Sequence, residues 1–472
     1  MCVAGLLRFY NLGEQSIWND EWFSIDVARS AIIDIQPKLI TFYHHPPLFF
    51  YLLHAVVKLF DDQPVALRCI SAISGMLTIG MVYYFTSKMF DNVAGIIAAT
   101  FCCFSPFHLA YSQEGRPYAL AALLCLVSCC TMLMFLQDRK RFRLVIYFLS
   151  SIALLYTHHW GIFILTSQII IILFFTEESF ETKKIFTVIW GVIAICYLPE
   201  MISLLHQFSA QGTGGGWWWA EQPNGNELLL VAEAFSGTYF KMASSVFDSS
   251  VTTKIAGASS IILLFLLGII NILKQNSSLA LRGAFLSAFL TLFLPFILSF
   301  YKPEIFLWYR YTVIVIPILA VCFGGLCTEK GRKMIASICV GAVIVLGVMG
   351  TFSYFSWSKS NVKEVAQYTE QATRENVSFL IRPAYFAPLL NYYYKGTVRQ
   401  LDETYLDHPL GEIIDTAASF AYISLDTPNE IRDYMNDHFD KISEKKFPGE
   451  AHMGIIVSVY KQKPEEDEEQ EK

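Results

Sequence analysis

The stretch Ala119-Leu120-Ala121-Ala122-Leu123-Leu124-Cys125-Leu126-Val127-Ser128-Cys129-Cys130-Thr131-Met132-Leu133-Met134-Phe135-Leu136 carries no charge and is soon followed by Arg139-Lys140-Arg141. A run of this length reads as a helix that crosses a bilayer, whose hydrocarbon core takes about 17–25 helical residues. Similar runs recur near 68–88, 93–110, 142–157, 160–175, 185–205, 255–273, 282–300, 311–327 and 334–355. The runs 142–157 and 160–175 read as two spans that turn at Thr157-His158-His159.

Composition agrees. Of the 472 residues, 54% are hydrophobic and only 16% charged, against about 25% charged in a soluble domain. The deficit is uneven. Residues 1–355 hold 22 Lys and Arg against 20 Asp and Glu, and residues 356–472 hold 13 against 21. The sequence therefore predicts a membrane body and a water-soluble C-terminal part. Net charges of +2 and −8 leave no basic body, which excludes a nucleic-acid binder. The eleven Cys end at Cys339, lie in or beside apolar runs and imply no disulfide framework.

Charge also orients the chain. Alternate short loops hold twelve basic residues: Lys88, Arg139, Lys140, Arg141, Arg143, Lys183, Lys184, Lys274, Arg282, Lys330, Arg332 and Lys333. The opposite loops hold five: Arg116, Lys241, Lys254, Lys302 and Arg310. Basic loops stay in the cytoplasm, so 13–67, 111–118, 157–159, 206–254, 301–310 and everything after 355 are expected outside. Pro46–Phe60 is too short to cross and reads as an interfacial or re-entrant helix. Residues 1–12 read as the outer end of a first span whose remainder is expected upstream. The fold class expected is a multi-pass α-helical membrane protein of about eleven spans, the first truncated, with a small C-terminal extracytoplasmic α/β domain. The domains are 1–355 in the membrane, 356–463 outside and an acidic disordered tail at 464–472. In the outer domain, helices are expected at 361–375, 385–395 and 429–439, with strands at Val377–Ile381, Phe420–Ile423 and Ile455–Tyr460.

The polar residues gather on the outer side. Trp18-Asn19-Asp20-Glu21-Trp22 sets two carboxylates between tryptophans at an interface. A partly desolvated carboxylate there can act as a general base or bind a divalent cation; a solvated loop with two interfacial Trp accounts for the same residues. His44-His45-Pro46-Pro47 offers imidazoles suited to phosphate or metal, or simple interfacial caps. Arg68, Arg116 and Arg310 lie at the outer rim, where guanidinium forks suit a lipid-linked phosphate; snorkelling to headgroups is the alternative for each alone. Gly212-Thr213-Gly214-Gly215-Gly216-Trp217-Trp218-Trp219 reads as a Gly run leading to an aromatic platform or a loop resting on the membrane.

Taken in order, Leu7-Arg8-Phe9-Tyr10-Asn11-Leu12-Gly13, Trp18-Asn19-Asp20-Glu21, His45-Pro46-Pro47-Leu48, Leu67-Arg68, Ser105-Pro106 and Tyr111-Ser112-Gln113-Glu114-Gly115-Arg116-Pro117-Tyr118 resemble the family 39-like GT-C membrane glycosyltransferases, with further support at Arg310-Tyr311. These include the protein O-mannosyltransferases and are similar to the aminoarabinose lipid A transferases. The resemblance implies transfer of a sugar, with inversion, from a polyprenyl-phosphate donor to a protein, lipid or glycan acceptor. Asp20, supported by Glu21, matches the catalytic carboxylate. His44, His45, Arg68, Glu114, Arg116 and Arg310 match the side that binds the donor phosphate. A divalent cation (Mg or Mn) is compatible with Asp20, Glu21 and His44. The rivals are a transporter or flippase of a lipid-linked substrate, which places charges mid-membrane and carries repeats, and a membrane scaffold with an outer sensor domain.

The orientation is open to a direct test. A Gln400→Cys variant in intact cells should react with a membrane-impermeant maleimide above the background of the unsubstituted chain. Reaction only after permeabilisation reverses the topology.

Overall fold

The computed structural model describes residues 1–43, 45–210, 223–242, 245–273, 278–356, 361–372, 379–382, 386–394, 398–400, 420–425, 430–447 and 455–462. The chain forms two compact units. One comprises Met1–Gly13, Phe23–Met242 and Val246–Trp357; the other comprises Glu14–Trp22, Ala243–Ser245 and Ser358–Lys472.

The first unit is helical. Among the described residues, six helices are long and apolar enough to cross a membrane: α5 (Pro64–Met89), α8 (Tyr118–Asp138), α11 (Phe180–Ala210, apolar to His206), α13 (Val251–Leu273), α14 (Leu279–Ser299) and α16 (Lys333–Phe355). A seventh crossing is made if α6 (Asn92–Cys103) and α7 (Pro106–Ser112) are taken together. Shorter apolar helices are α4 (Leu48–Phe60), α9 (Phe142–Leu155), α10 with its π-helical end (Gly161–Phe175) and the segment Tyr311–Leu326, which includes α15 (Ile316–Leu326). The remaining helices of this unit are α1 (Cys2–Phe9), α3 (Ile35–Lys38) and α12 (Asn226–Ser236), together with α2 (Asn19–Arg29), which begins in the second unit. Several spans expected at full length are thus short helices, and 206–254, read as a loop, contains α12 and two strands, Tyr239–Met242 and Ser245–Asp248.

The span expected at 93–110 is not one straight helix. It bends by 65° between α6 and α7. Pro106 has no N–H to continue the ladder, and Ser105 caps α7 by accepting from the His108 N–H. The break frees the carbonyls that end α6, and no water competes for them inside an apolar body. Arg8 takes two of them: its Nη1 donates to Cys103 O at 2.8 Å and its Nη2 to Cys102 O at 3.2 Å. Thr351 donates to Phe104 O at 3.3 Å. That approach needs Gly347, where an added Cβ would stand 2.5 Å from the Phe104 oxygen. Gln113 does the same for α1: its Nε2 donates to the carbonyls of Leu7, Arg8 and Tyr10, while its Oε1 accepts from Tyr354.

A second polar chain ties α8 to α11. Trp190 donates to the Tyr147 hydroxyl, Tyr147 to Gln168 Oε1, and Gln168 Nε2 to Ser128, which also meets Ser151. Interhelical hydrogen bonds of this kind add specificity where apolar contact alone gives little preference over lipid.

The second unit carries a five-stranded mixed sheet. With the strands of 206–254 as β1 and β2, its members are β3 (Phe379–Arg382), β4 (Val398–Gln400), β5 (Phe420–Leu425), β6 (Phe439–Phe447) and β7 (Ile455–Gln462), in the order β4-β3-β5-β7-β6. β3 is parallel to both β4 and β5, and β7 is antiparallel to both β5 and β6. Leu380, Phe420, Tyr422 and Tyr460 pack on Ile431 and Met435 of α19 (Glu430–His438). Two further helices belong here, α17 (Val362–Ala372) and α18 (Ala387–Tyr393). Strands β4 and β6 carry no apolar alternation that would have marked them. Glu14–Trp22 belongs to this unit: the Ile17 N–H donates to the Tyr393 hydroxyl oxygen at 2.7 Å, and the Lys363 N–H donates to Ser16 Oγ at 3.1 Å. The segment had been read as part of the membrane domain. The Gly212–Trp219 run and the acidic tail lie outside the described residues.

Removing Arg8 leaves buried carbonyls unpaired, at about 1–3 kcal/mol each. Arg8→Met should therefore lower unfolding free energy in a detergent titration by about 2–4 kcal/mol, with Arg8→Lys recovering part. An unchanged transition would show that the break holds without it.

Candidate active site

Asp20 and Glu21 occupy the first turn of α2, which starts at Asn19 inside the stretch read as a loop. Carboxylates in a first turn are favoured by the exposed N–H groups and the helix dipole. Glu21 is fully buried and Asp20 partly so. Trp22, one residue on, meets Tyr392 edge to face at 6.4 Å. Ser24 follows Asp20 by one helical turn.

In the membrane unit, the cluster is built around Arg116. This side chain is 4% exposed. Its Nη1 donates to Ser24 Oγ at 3.2 Å and its Nη2 to His45 Nε2 at 2.7 Å. A ring nitrogen that accepts from a guanidinium bears no proton, so His45 is neutral with its proton on Nδ1. Burial does most to keep it so, aided by Arg116, His158, His159 and Arg310; together they hold His45 well below the ordinary imidazole value. The loop that carries Arg116 is fixed by its own backbone, since the Arg116 N–H donates to Glu114 O at 2.7 Å and Ser71 donates to Arg116 O at 3.0 Å. Leu67 packs against Gly115, where a Cβ would stand 2.5 Å from its side chain.

Aromatic rings close round the cluster. His158 lies 6.1 Å from His45, 5.5 Å from Tyr118 and 5.0 Å from Tyr311, ring to ring. Arg310 lies over the Tyr309 ring at 5.5 Å. Glu114 is buried beside Tyr111, whose hydroxyl donates to Tyr309 O at 2.6 Å.

The structure therefore brings His45, Arg116 and Arg310 together and adds Ser24, His158 and His159, which the sequence reading had not chosen. The sequence marks Thr157-His158-His159 only as the place where the chain turns. Arg68 is buried, and its Nη1 donates to Leu12 O at 2.8 Å. That bond fixes the end of the segment after α1, the same work that Arg8 and Gln113 do nearby. His44 lies outside the described residues. Among the described residues, no three His, Cys, Asp or Glu stand close enough together to hold a metal ion.

The family of dolichyl-phosphate-mannose-protein mannosyltransferases matches residues 44–202, about a third of the chain. No curated protein matches the sequence. Two solved structures of ArnT from Cupriavidus metallidurans resemble the chain at 11% identity over 97% of its length and 96% of theirs. The TM-score is 0.58 for the apo state and 0.54 for the state bound to undecaprenyl phosphate. An archaeal oligosaccharyltransferase, AglB from Archaeoglobus fulgidus, in complex with an inhibitory peptide and a dolichol-phosphate, matches with TM-score 0.53 at 12% identity, over 90% of this chain and 68% of that one. The chain has the GT-C fold. It is a multi-pass membrane protein, and the resemblance read from its motifs stands.

The buried imidazoles make a pH prediction. Burial, with His159 and Arg116 beside it, lowers His158 to about 3, whereas an unfolded His titrates near 6.5. As pH falls through about 6.5 the unfolded chain takes up protons that the folded one refuses, so stability falls with pH. Each such His contributes up to about 1.4 kcal/mol per pH unit. The melting midpoint in detergent should drop from pH 6.5 to pH 5, and His158→Gln should make that drop shallower. Equal slopes would mean that His158 titrates freely in the fold.

Proposed function

We infer that this chain is a membrane glycosyltransferase that moves a sugar from a polyprenyl-phosphate donor to an acceptor hydroxyl or amine. The observation that carries the reading is the gathering, from four separate segments, of buried Arg116, His45 and His158 with half-buried His159 and Arg310. Such a site suits a phosphate: guanidiniums supply charge and forked donors, and neutral imidazoles supply hydrogen bonds without competing for charge. The match to dolichyl-phosphate-using proteins and the undecaprenyl phosphate held by a protein of the same fold support this chemistry.

In the mechanism, Asp20 accepts the acceptor's proton as the acceptor oxygen or nitrogen attacks the anomeric carbon. The bond from that carbon to the phosphate oxygen breaks with inversion. Its electron pair leaves on the polyprenyl phosphate, stabilised by Arg116 and Arg310. Glu21, buried one residue on, supports Asp20, and Glu114 and His45 position Arg116. Arg68 holds the segment that leads into α2. The reaction runs on the outer face of the membrane, the side the charge pattern assigns to Arg116 and Arg310. Transport of a lipid-linked substrate is the rival, and it leaves the sugar on its lipid.

Purified protein in nanodiscs, given a panel of radiolabelled polyprenyl-phosphate sugars with candidate protein, lipid and glycan acceptors, should transfer label and release polyprenyl phosphate. Asp20→Asn keeps the shape and removes the base, so turnover should fall by about 10²–10⁴-fold with an unchanged melting midpoint. Near-normal turnover in that variant removes Asp20 from the mechanism.

A further inference from the structure

His158 stands in the turn between α9 and α10 and is 3% exposed. Its Nδ1 accepts the backbone N–H of Trp160 at 3.2 Å. That bond fixes the tautomer: Nδ1 is bare, so the proton of the neutral ring is on Nε2. The Nε2–H is sealed from solvent and has no hydrogen-bond partner among the described residues.

A buried donor left without an acceptor costs about 1–3 kcal/mol and is rare in folded proteins. Its surroundings offer little relief. The rings of Tyr118, Tyr311 and His45 surround it, and the Arg116 guanidinium, bonded to His45, is positive and repels any proton added to His158. A Phe at this position would keep the ring packing and remove the cost. An orphan donor next to a buried guanidinium marks a place that is completed by a ligand rich in acceptors and negative in charge.

Resting on the glycosyl-transfer reading above, we propose that His158 is a substrate-contacting residue whose Nε2–H donates to a non-bridging oxygen of the donor's phosphate, beside Arg116. The ring does this as a neutral donor. It delivers no proton: the acceptor's proton goes to Asp20, and the phosphate departs with the electron pair of the broken bond. The contact strengthens during the reaction, because the donor is a phosphodiester with one negative charge and the product is a monoester that carries more. A preorganised donor aimed at growing charge in a water-excluded place stabilises the transition state more than the ground state. The same logic makes the polyprenyl monophosphate product a tighter ligand than the donor at this contact.

The test uses the full chain in detergent with farnesyl phosphate as the probe. His158→Phe keeps the aromatic packing and loses the donor; His158→Gln keeps an N–H donor and loses the ring. The Gln Oε1 can also take over the Trp160 N–H, which Phe cannot. A hydrogen bond to a charged partner corresponds to about 10–100-fold in affinity. His158→Phe should weaken farnesyl phosphate binding by that much, and His158→Gln should recover part of it. Phe binding as well as wild type, or better than Gln, assigns the residue to packing and overturns the proposal. Should either variant fail to fold, the wild-type protein decides: the His158 Nε2–H resonance should move downfield on addition of farnesyl phosphate, and a stationary line overturns the proposal. Arg116→Ala separates this failure from that of the underlying reading. If it loses the probe while His158→Phe keeps it, only the His158 assignment falls. If it too binds normally and no sugar is transferred, the phosphate site itself is wrong.

Discussion

The carbonyls freed between α6 and α7 set the terms for much of the membrane unit. A helix that breaks inside an apolar body leaves acceptors that water cannot reach. Here they are met by a buried guanidinium from α1 and a hydroxyl from α16, with Gly347 letting α16 approach. The break is what allows α7 to turn by 65° and present the loop after it. Arg116 hangs on that loop. A straight helix through 93–110 would carry residues 111–118 further along the original axis, away from Ser24 and His45.

Around Arg116 the electrostatics are arranged by exclusion as much as by attraction. A guanidinium holds its proton under any ordinary condition. The imidazoles beside it are kept neutral by burial and by its charge, so they offer directed hydrogen bonds and no added repulsion. Two protonated His in the same place would be too costly to bury; two neutral ones are not. The site thus has a fixed positive charge and a set of polar atoms whose tautomers are decided by their partners. His45 accepts from Arg116, and His158 accepts from Trp160.

The sequence made the architecture legible where physics acts over a long window. Eighteen uncharged residues from Ala119 to Leu136 could be little else than a span, and α8 covers them. It was less informative where the outcome depends on one residue or on distant partners. Pro106 was visible, but whether it kinks or ends a helix depends on Arg8, about a hundred positions away. The first turn of α2 was read as a loop, because Asn19-Asp20-Glu21 is polar and its capping value shows only when Trp22–Arg29 is seen as helical. Strands β4 and β6 escaped because Val398-Arg399-Gln400 is too short for a pattern and Asp440–Lys446 is mostly charged; both are edge strands, where charge is the usual guard against further pairing. His158 was seen and passed over, since a turn is sufficient reason for a polar residue and its tautomer is a property of the fold alone.

The motif residues that made the resemblance fall into two physical classes. Arg8, Gln113 and Arg68 donate to main-chain carbonyls, and Ser105-Pro106 shapes the break that frees those Arg8 meets. His45 and Arg116 bond to side chains and gather with other polar rings. A membrane enzyme needs both classes for one reason. Irregular backbone is tolerated at membrane depth only where protein groups satisfy it, and a reactive cluster needs irregular backbone to bring residues 24, 45, 116, 158 and 310 to one point. Arg8 and Arg116, alike as guanidiniums in a linear sequence, therefore fall to different tasks. Charge and position near an apolar run cannot separate them, and only the acceptor each guanidinium reaches decides which task it performs.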